Sequence, residues 1–199
     1  VDAYDIVDWR RRVFALYAEV RAAADPATGH EVWRRTRDEL FATHPASPIP
    51  SAQRPRFSGL TTAPYDPAWR FEVEVSATEA TPWQVASGTD GVVSFERLGV
   101  ATLPEVGTLD VWRLTSYAGG VFVPVRDAGC GRPGGGYGGG RYLLDTVKGA
   151  DLGGDGGRLV LDLNFAYAPS CAYDPSWACP LPPPGNRLEV PVPVGELHG

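Results

Sequence analysis

A single lysine, Lys148, three cysteines and no long apolar run are what this chain has little of. With one lysine among 18 basic residues, nearly all its positive charge is arginine, whose planar fork suits bidentate contacts to carboxylate or phosphate. A coding bias toward Arg, Ala, Gly and Pro accounts for the same count equally well. Cys130, Cys171 and Cys179 make an odd number, which excludes a wholly disulfide-paired secreted scaffold and allows at most one internal bridge. No stretch approaches the roughly 18 apolar residues that span a bilayer, and no charged-then-apolar leader opens the chain. No membrane partner is therefore expected, and the cytoplasm is the expected compartment, with a trimmed leader left open by the start at Val1.

Acidic residues outnumber basic ones by 24 to 18, for a net charge of -6. That balance argues against general binding to nucleic acid, which rests on clustered cations neutralising phosphates. A length of 199 residues suits one domain, and a domain of this size buries roughly 70% of the surface its unfolded chain exposes without needing a metal or a disulfide. The 24 glycines and 19 prolines add many turns and point toward β structure.

Three regions follow one another. Within residues 1–44, Ile6, Trp9, Val13, Leu16, Tyr17 and Val20 recur at helical spacing, with Asp2 or Asp5 placed to cap them. After the break at Asp25-Pro26, Thr28 and Glu31 have capping-box spacing ahead of Val32, Trp33, Thr36, Leu40 and Phe41, so a second helix is predicted. Residues 45–67 carry recurrent prolines around Phe57, Leu60 and Tyr65 and read as an extended segment lying over the core. Residues 68–199 break into short β-prone runs at 70–75, 83–86, 92–98, 108–114, 121–125, 141–147, 158–165 and 188–192. Turn signals separate them, including Thr89-Asp90-Gly91 and Ala118-Gly119-Gly120. The expected fold is α+β and mainly β: an antiparallel barrel or sandwich with two N-terminal helices packed on it.

Several motifs carry candidate chemistry. Gly129-Cys-Gly-Arg-Pro-Gly134 matches the dinucleotide-binding pattern in letters alone, but Pro133 interrupts it and a strand rather than a helix follows, so it reads as a hairpin connection. No cofactor is expected. In 158–165, strand alternation places Leu159, Leu161, Leu163 and Phe165 on one face and Val160, Asp162 and Asn164 on the other. Asp162 and Asn164 then form either a hydrated face or a polar pair directed into a pocket. Arg126-Asp127 ends one strand and Arg141-Tyr142 begins another, a combination that either holds an anionic ligand or closes an internal ion pair.

Cys171 and Cys179 stand eight positions apart in a proline-rich loop. A bridge there requires a turn that brings the two α-carbons into range, and it would contribute about 2.5 kcal/mol in the chain-entropy model. In a reducing cytosol it would be open. His30, His44, His198 and Cys130 lack metal-ligand spacing relative to this pair, and no metal site is expected. Pro180-Leu-Pro-Pro-Pro184 reads as a rigid bridge into the last strand.

Taken in order, Ser47-Pro-Ile49, Phe57-Ser-Gly-Leu60, Arg126-Asp127, Tyr137-Gly-Gly-Gly-Arg-Tyr142, Leu161 to Pro175, Cys179 to Arg187 and Gly195-Glu196 resemble the bacterial and archaeal family catalogued as domain of unknown function 1684. This chain departs from the family pattern at Ala128-Gly-Cys130 and at Ala168, where the family usually carries Asn. The resemblance brings no established activity. Some members look exported or lipid-anchored, which keeps a bridge between Cys171 and Cys179 in play. On the matched positions, Arg126, Asp127, Arg141, Tyr142, Asp162, Asn164, Tyr167, Cys171, Cys179, Asn186 and Arg187 are expected to gather at one pocket.

Two functions follow as expectations. One is a binding domain for a small polar or anionic molecule, held through Arg126 or Arg141, with Asp127, Tyr142, Cys171, Cys179, Asn186 and Arg187 around it. The other is an enzyme with Asp162 as general acid or base and Asn164 or Tyr167 orienting the substrate. A third reading gives the loop only a structural or interaction role. The sequence leaves a monomer and a homo-oligomer equally open.

Overall fold

The computed structural model describes residues 1–87, 91–117, 119–155 and 157–198. The turn signals at Thr89-Asp90 and at Ala118 lie outside the described residues.

Helix α1 (Ala3–Ala22) begins with a reciprocal box in which Asp2 accepts the Asp5 N–H at 2.8 Å and Asp5 accepts the Asp2 N–H at 2.9 Å. Helix α2 (Pro26–Thr43) is capped by Asp25, which accepts both the N–H and the hydroxyl of Thr28 at 2.9 Å. The helix therefore starts earlier than the Thr28–Glu31 spacing suggests. Pro26 lacks an N–H and has a helical φ, so it costs nothing in the first turn. Leu16, Tyr17 and Val20 of α1 and Trp33 of α2 bury their side chains together with Ala150, Leu152, Val160 and Phe165.

Among the described residues, eight strands form one sheet: β1 (Arg70–Ala77), β2 (Pro82–Ser87), β3 (Gly91–Leu103), β4 (Gly107–Leu114), β5 (Val121–Asp127), β6 (Arg141–Asp145), β7 (Arg158–Asp162) and β8 (Arg187–Leu188). The main order is β6-β5-β4-β3-β1-β7, with β2 added on β3 and β8 on β5. All pairings are antiparallel except β5 with β8, where Arg126 and Asp127 face Arg187 and Leu188 in parallel. Strand β3 serves two neighbours in succession, β2 along its first half and β1 along its second, and a bulge between Arg97 and Gly99 makes the change. A β-carbon on Gly99 would fall 2.3 Å from the Ser76 carbonyl oxygen, so only glycine lets β1 approach there.

The sheet curls into a half-barrel. Its end strands β6 and β7 are joined beyond the strand by Tyr142 and Tyr167, whose backbones exchange hydrogen bonds of 2.8 and 3.0 Å. Inside lie Val73, Ala101, Leu103, Leu109, Val111, Val123, Val125, Leu143, Leu161 and Leu163. The opposite face of β3–β6 carries a second apolar layer of Phe95, Trp112, Phe122 and Tyr142, packed by Trp83 from β2. Alternating faces of the same strands thus feed two cores.

Three expected strands end early. The run 141–147 stops at Asp145 and passes into a short 3-10 turn, and 188–192 pairs only at its start because Pro191 and Pro193 supply no N–H. The run 158–165 is strand only to Asp162, after which Leu163–Phe165 is a 3-10 turn. That change of period moves Phe165 off the face of Leu161 and Leu163 and into the helix-packed core with Val160.

Candidate binding cleft

Asp162 and Asn164 come together through that turn, not through strand parity. Asp162 Oδ1 accepts the Asn164 N–H at 3.0 Å and Asn164 Nδ2–H at 2.8 Å, while Oδ2 accepts the Tyr65 hydroxyl at 3.3 Å and lies 3.6 Å from Arg70 Nη1. Asn164 also donates to the Asp66 carbonyl and accepts the Asp66 N–H, each at 2.8 Å. Both side chains are fully buried. Their bonds pin the end of the proline-rich segment against β7 and leave neither side chain exposed. Burial pushes the Asp162 carboxyl above its usual range, only partly offset by the Asn164 bonds and Arg70.

Arg141 and Asp127 form a second buried unit. Arg141 Nη2 donates to Asp127 Oδ2 at 2.8 Å and to the Val192 carbonyl at 3.1 Å, and Nη1 serves the carbonyls of Val194 and Glu196. Asp127 Oδ1 accepts the N–H groups of Gly129 and Val192 at 2.8 and 3.0 Å. The pair laces the C-terminal segment to β5 and β6. A β-carbon on Gly136 would stand 2.6 Å from Arg141 Nε, so the glycine-rich loop is a cover over this guanidinium.

Asn186 is a third unit. Its Oδ1 accepts Trp112 Nε1–H at 2.8 Å, and its Nδ2 donates to the carbonyls of Asp110 and Pro124 at 2.8 and 2.9 Å. Arg126, half-buried, donates from Nε to the Gly138 carbonyl at 3.0 Å, and Arg187 is exposed on β8. The cysteines are free thiols, with Cys171 and Cys179 both half-buried. The residues expected at one pocket therefore fall into separate hydrogen-bonded units. Tyr142, Tyr167 and Cys179 are the members that line a common cavity.

That cavity adjoins a second one through shared wall residues, and the two are called here the inner and outer chambers of a cleft. The outer chamber, about 330 Å³, has Val93, Phe95, Leu114 and Phe122 of the sheet on one side and Val147 and Pro180 on the other, with Arg10, Asp145 and Lys148 also in its walls. The inner chamber, about 110 Å³, lies between the helices and segment 167–173 and is lined by Tyr17, Arg37, Tyr167, Tyr173 and Cys179 among others. Tyr142, Asp145 and Lys148 belong to both. A wider groove of about 680 Å³ runs between residues 49–61 and the C-terminal segment. The buried charge in it, Glu196, is already engaged by Arg37, Tyr173 and the Ala168 N–H.

Arg37 fixes the inner chamber. Its Nη2 donates to Glu196 Oε2 at 2.6 Å, and its guanidinium carbon sits 4.8, 5.0 and 5.1 Å from the ring centres of Trp33, Phe41 and Tyr167. Its buried Nε has no partner among the described residues. The Tyr17 hydroxyl accepts Trp33 Nε1–H at 3.1 Å. Burial pushes the Tyr17 phenol up to about 12 and raises Tyr142, Tyr167 and Tyr173 well above their ordinary value, so all four stay protonated at neutral pH. Among the described residues, no group of three or more His, Cys, Asp and Glu side chains converges as a metal ligand set would.

Arg37 and Asp145 are cleft residues that the sequence reading did not single out, and Lys148 entered it only as the single lysine. Arg37 carried a usable signal, standing four residues after Trp33 and four before Phe41, on the apolar stripe of α2. Asp145 and Lys148 had none, because they enter the cleft through a 3-10 turn at a strand end.

Fold and cleft together define a class: an α+β half-barrel whose helices close one side of a tyrosine-lined cleft. The chain belongs to the family described as Protein of unknown function (DUF1684), whose family model matches residues 55–197. It is similar to the solution NMR structure of an uncharacterized protein from gene locus rrnAC0354 of Haloarcula marismortui, at 35% identity over 83% of this chain and 90% of that one, with a TM-score of 0.57. No match is found among curated proteins. Among the described residues, no helix is long and apolar enough to cross a membrane.

Proposed function

We propose that this protein binds a small amphipathic molecule in the two-chambered cleft, with the apolar body in the outer chamber and a polar or anionic head toward the inner one. The observation that carries this reading is the junction at Tyr142, Asp145 and Lys148, which places an aromatic and aliphatic chamber next to a hydroxyl-rich one. Ligand sites are typically concave and mostly apolar, with a few placed polar groups. The charged residues of the outer chamber are Arg10, Lys148 and Asp145.

Arg126 and Arg141 are not the cations of this reading, since one holds the Gly138 carbonyl and the other is sealed with Asp127. Asp162 is committed to its turn and to Tyr65, and its side chain is fully buried.

Thermal unfolding in the presence of sodium octanoate and of octan-1-ol tests the reading, because a ligand of the native state raises apparent stability by mass action. Ala178 is exposed and lines the outer chamber, so Ala178→Trp fills the cleft without touching the cores. The expected result is a concentration-dependent rise in Tm for the native protein and its loss in Ala178→Trp. Equal rises in both proteins, or none in the native one, reject the cleft.

A further inference from the structure

His30 of α2 lines none of the cavities above, and its ring is sealed. It is 1% exposed, with the rings of Trp33, Tyr65 and Phe165 centred 5.5, 5.7 and 5.3 Å from its own. Its Nε2 stands 3.1 Å from the Asn164 carbonyl, a hydrogen bond from the helix to the turn after β7. A carbonyl can only accept, so Nε2 carries the hydrogen and Nδ1 keeps a lone pair. Nδ1 is buried and has no partner among the described residues. A proton arriving there adds a donor without an acceptor and a charge without water, and both are costly in an apolar shell.

The charged and titratable groups around the ring are already committed elsewhere. On α2, Glu31 and Arg34 pair with each other at 3.1 Å, Arg37 pairs with Glu196, and Asp25 caps Thr28. In the segment before β1, Tyr65 donates its hydroxyl to Asp162, and the Asp66 side chain caps Ala68. In the turn, Asp162 holds Asn164 and lies 3.6 Å from Arg70; on α1, Tyr17 accepts from Trp33. Burial accordingly holds the ring below the ordinary histidine range, and its bond to Asn164 offsets this only in part.

We propose that His30 is an acid-sensitive latch between α2 and the turn after β7: it holds the junction while neutral, and taking up a proton loosens it. An opened, solvated ring titrates at about 6.5 and the sealed ring lower. The opened form therefore gains protons first as pH falls through about 6.5, and the closed junction loses stability from there down to the sealed ring's pKa. Arg37 and Phe41, further along α2, line the inner chamber, so loosening the helix alters that wall. The latch does not depend on what the cleft binds.

His30→Gln is the informative variant, because its amide keeps a donor for the Asn164 carbonyl and cannot titrate. Between pH 7.5 and pH 5.5 the urea midpoint of the native protein should fall, and that of His30→Gln should fall less. Over the same range, amide exchange at 163–167, corrected for its intrinsic pH dependence, should speed up several-fold in the native protein and stay constant in His30→Gln. His44 is also buried, and His44→Gln should leave the faster exchange at 163–167 in place. Equal pH dependence in the native protein and His30→Gln, or exchange at 163–167 that does not respond to pH, overturns the latch. If His30→Gln does not fold, the NMR titration of the His30 ring in the native protein decides. A midpoint at or above about 6.5 overturns the latch; a lower one, together with faster exchange at 163–167, upholds it.

Discussion

Arg141 Nη2 and Asp127 Oδ2 stand 2.8 Å apart with neither side chain exposed, and between them they hold four stretches of chain: β5, β6, the glycine-rich loop and the C-terminal segment. Taking away one member of a buried pair strands the other charge, at a cost of about 3–5 kcal/mol. Arg141→Met and Asp127→Ala should each lose stability on that scale in urea unfolding. A loss below about 1 kcal/mol for both would mean that water reaches the pair.

The same pair sets an acid limit. Burial alone would raise the Asp127 carboxyl, but Arg141, the Val192 and Gly129 N–H groups and the Cys130 thiol together hold it below the usual value. Below the unfolded pKa of about 3.9 the unfolded chain takes a proton that the folded one refuses, so stability falls as pH falls from there through the folded pKa. Urea midpoints measured from pH 5 down to pH 2 should decline, and less steeply in Asp127→Asn. Parallel slopes would show that other carboxylates dominate.

Asp162 should behave differently. Its carboxyl is raised by burial, so its ionised form is disfavoured in the folded state and its own contribution to stability falls as pH rises through the range just above the usual carboxylate value. Asp162→Asn keeps an oxygen for the two Asn164 bonds and should cost under about 1 kcal/mol, whereas Asp162→Ala loses the turn and should cost about 1–3 kcal/mol. Denaturation of the two variants side by side makes the comparison, and equal losses would contradict it.

Asn186 offers a sharper test of the proline-rich loop. With Asn186→Ala, Trp112 Nε1 and the carbonyls of Asp110 and Pro124 lose their partners in a fully buried site. The expected cost is at least about 2 kcal/mol, together with a changed Trp fluorescence maximum. An unshifted spectrum and unchanged stability would show the loop held by something else.

Two of the thiols should be sluggish. Burial and the neighbouring Cys179 push Cys171 up to about 11, and burial does the same for Cys130. Since the thiolate is the nucleophile, alkylation of Cys130 and Cys171 in the native protein by iodoacetamide at pH 7.5, followed by peptide mass mapping, should run far more slowly than that of free cysteine and rise steeply above pH 9. Rapid modification of Cys171 at neutral pH would refute this.

Periodicity made the two helices and most strands legible, because burial of one face imposes a period of 3.6 or 2 along the chain, as in Leu16, Tyr17 and Val20 of α1. Asp25-Pro26 marked a boundary by the donor it removes, whereas Pro191 fell inside the strand expected over 188–192 and cut it short. The pairing of Asp162 with Asn164 was legible too, although through the wrong geometry, since a 3-10 turn and a strand place residues i and i+2 differently.

Local sequence thus determined the helices, the β content and which polar residues are special. Tertiary structure alone decided what those residues do. Arg141 and Asp127 read equally well as ligand contacts or as an ion pair, and only the return of Val192 to Glu196 across them closes the shell that makes them structural. Tyr17, Arg37, Lys148 and Tyr167 come from four separate stretches and share a cleft only because α1 and α2 pack beside the junction of β6 with the segment after β7. Contacts between residues so far apart leave no periodic trace, for their geometry is set by how the helices and the curled sheet pack.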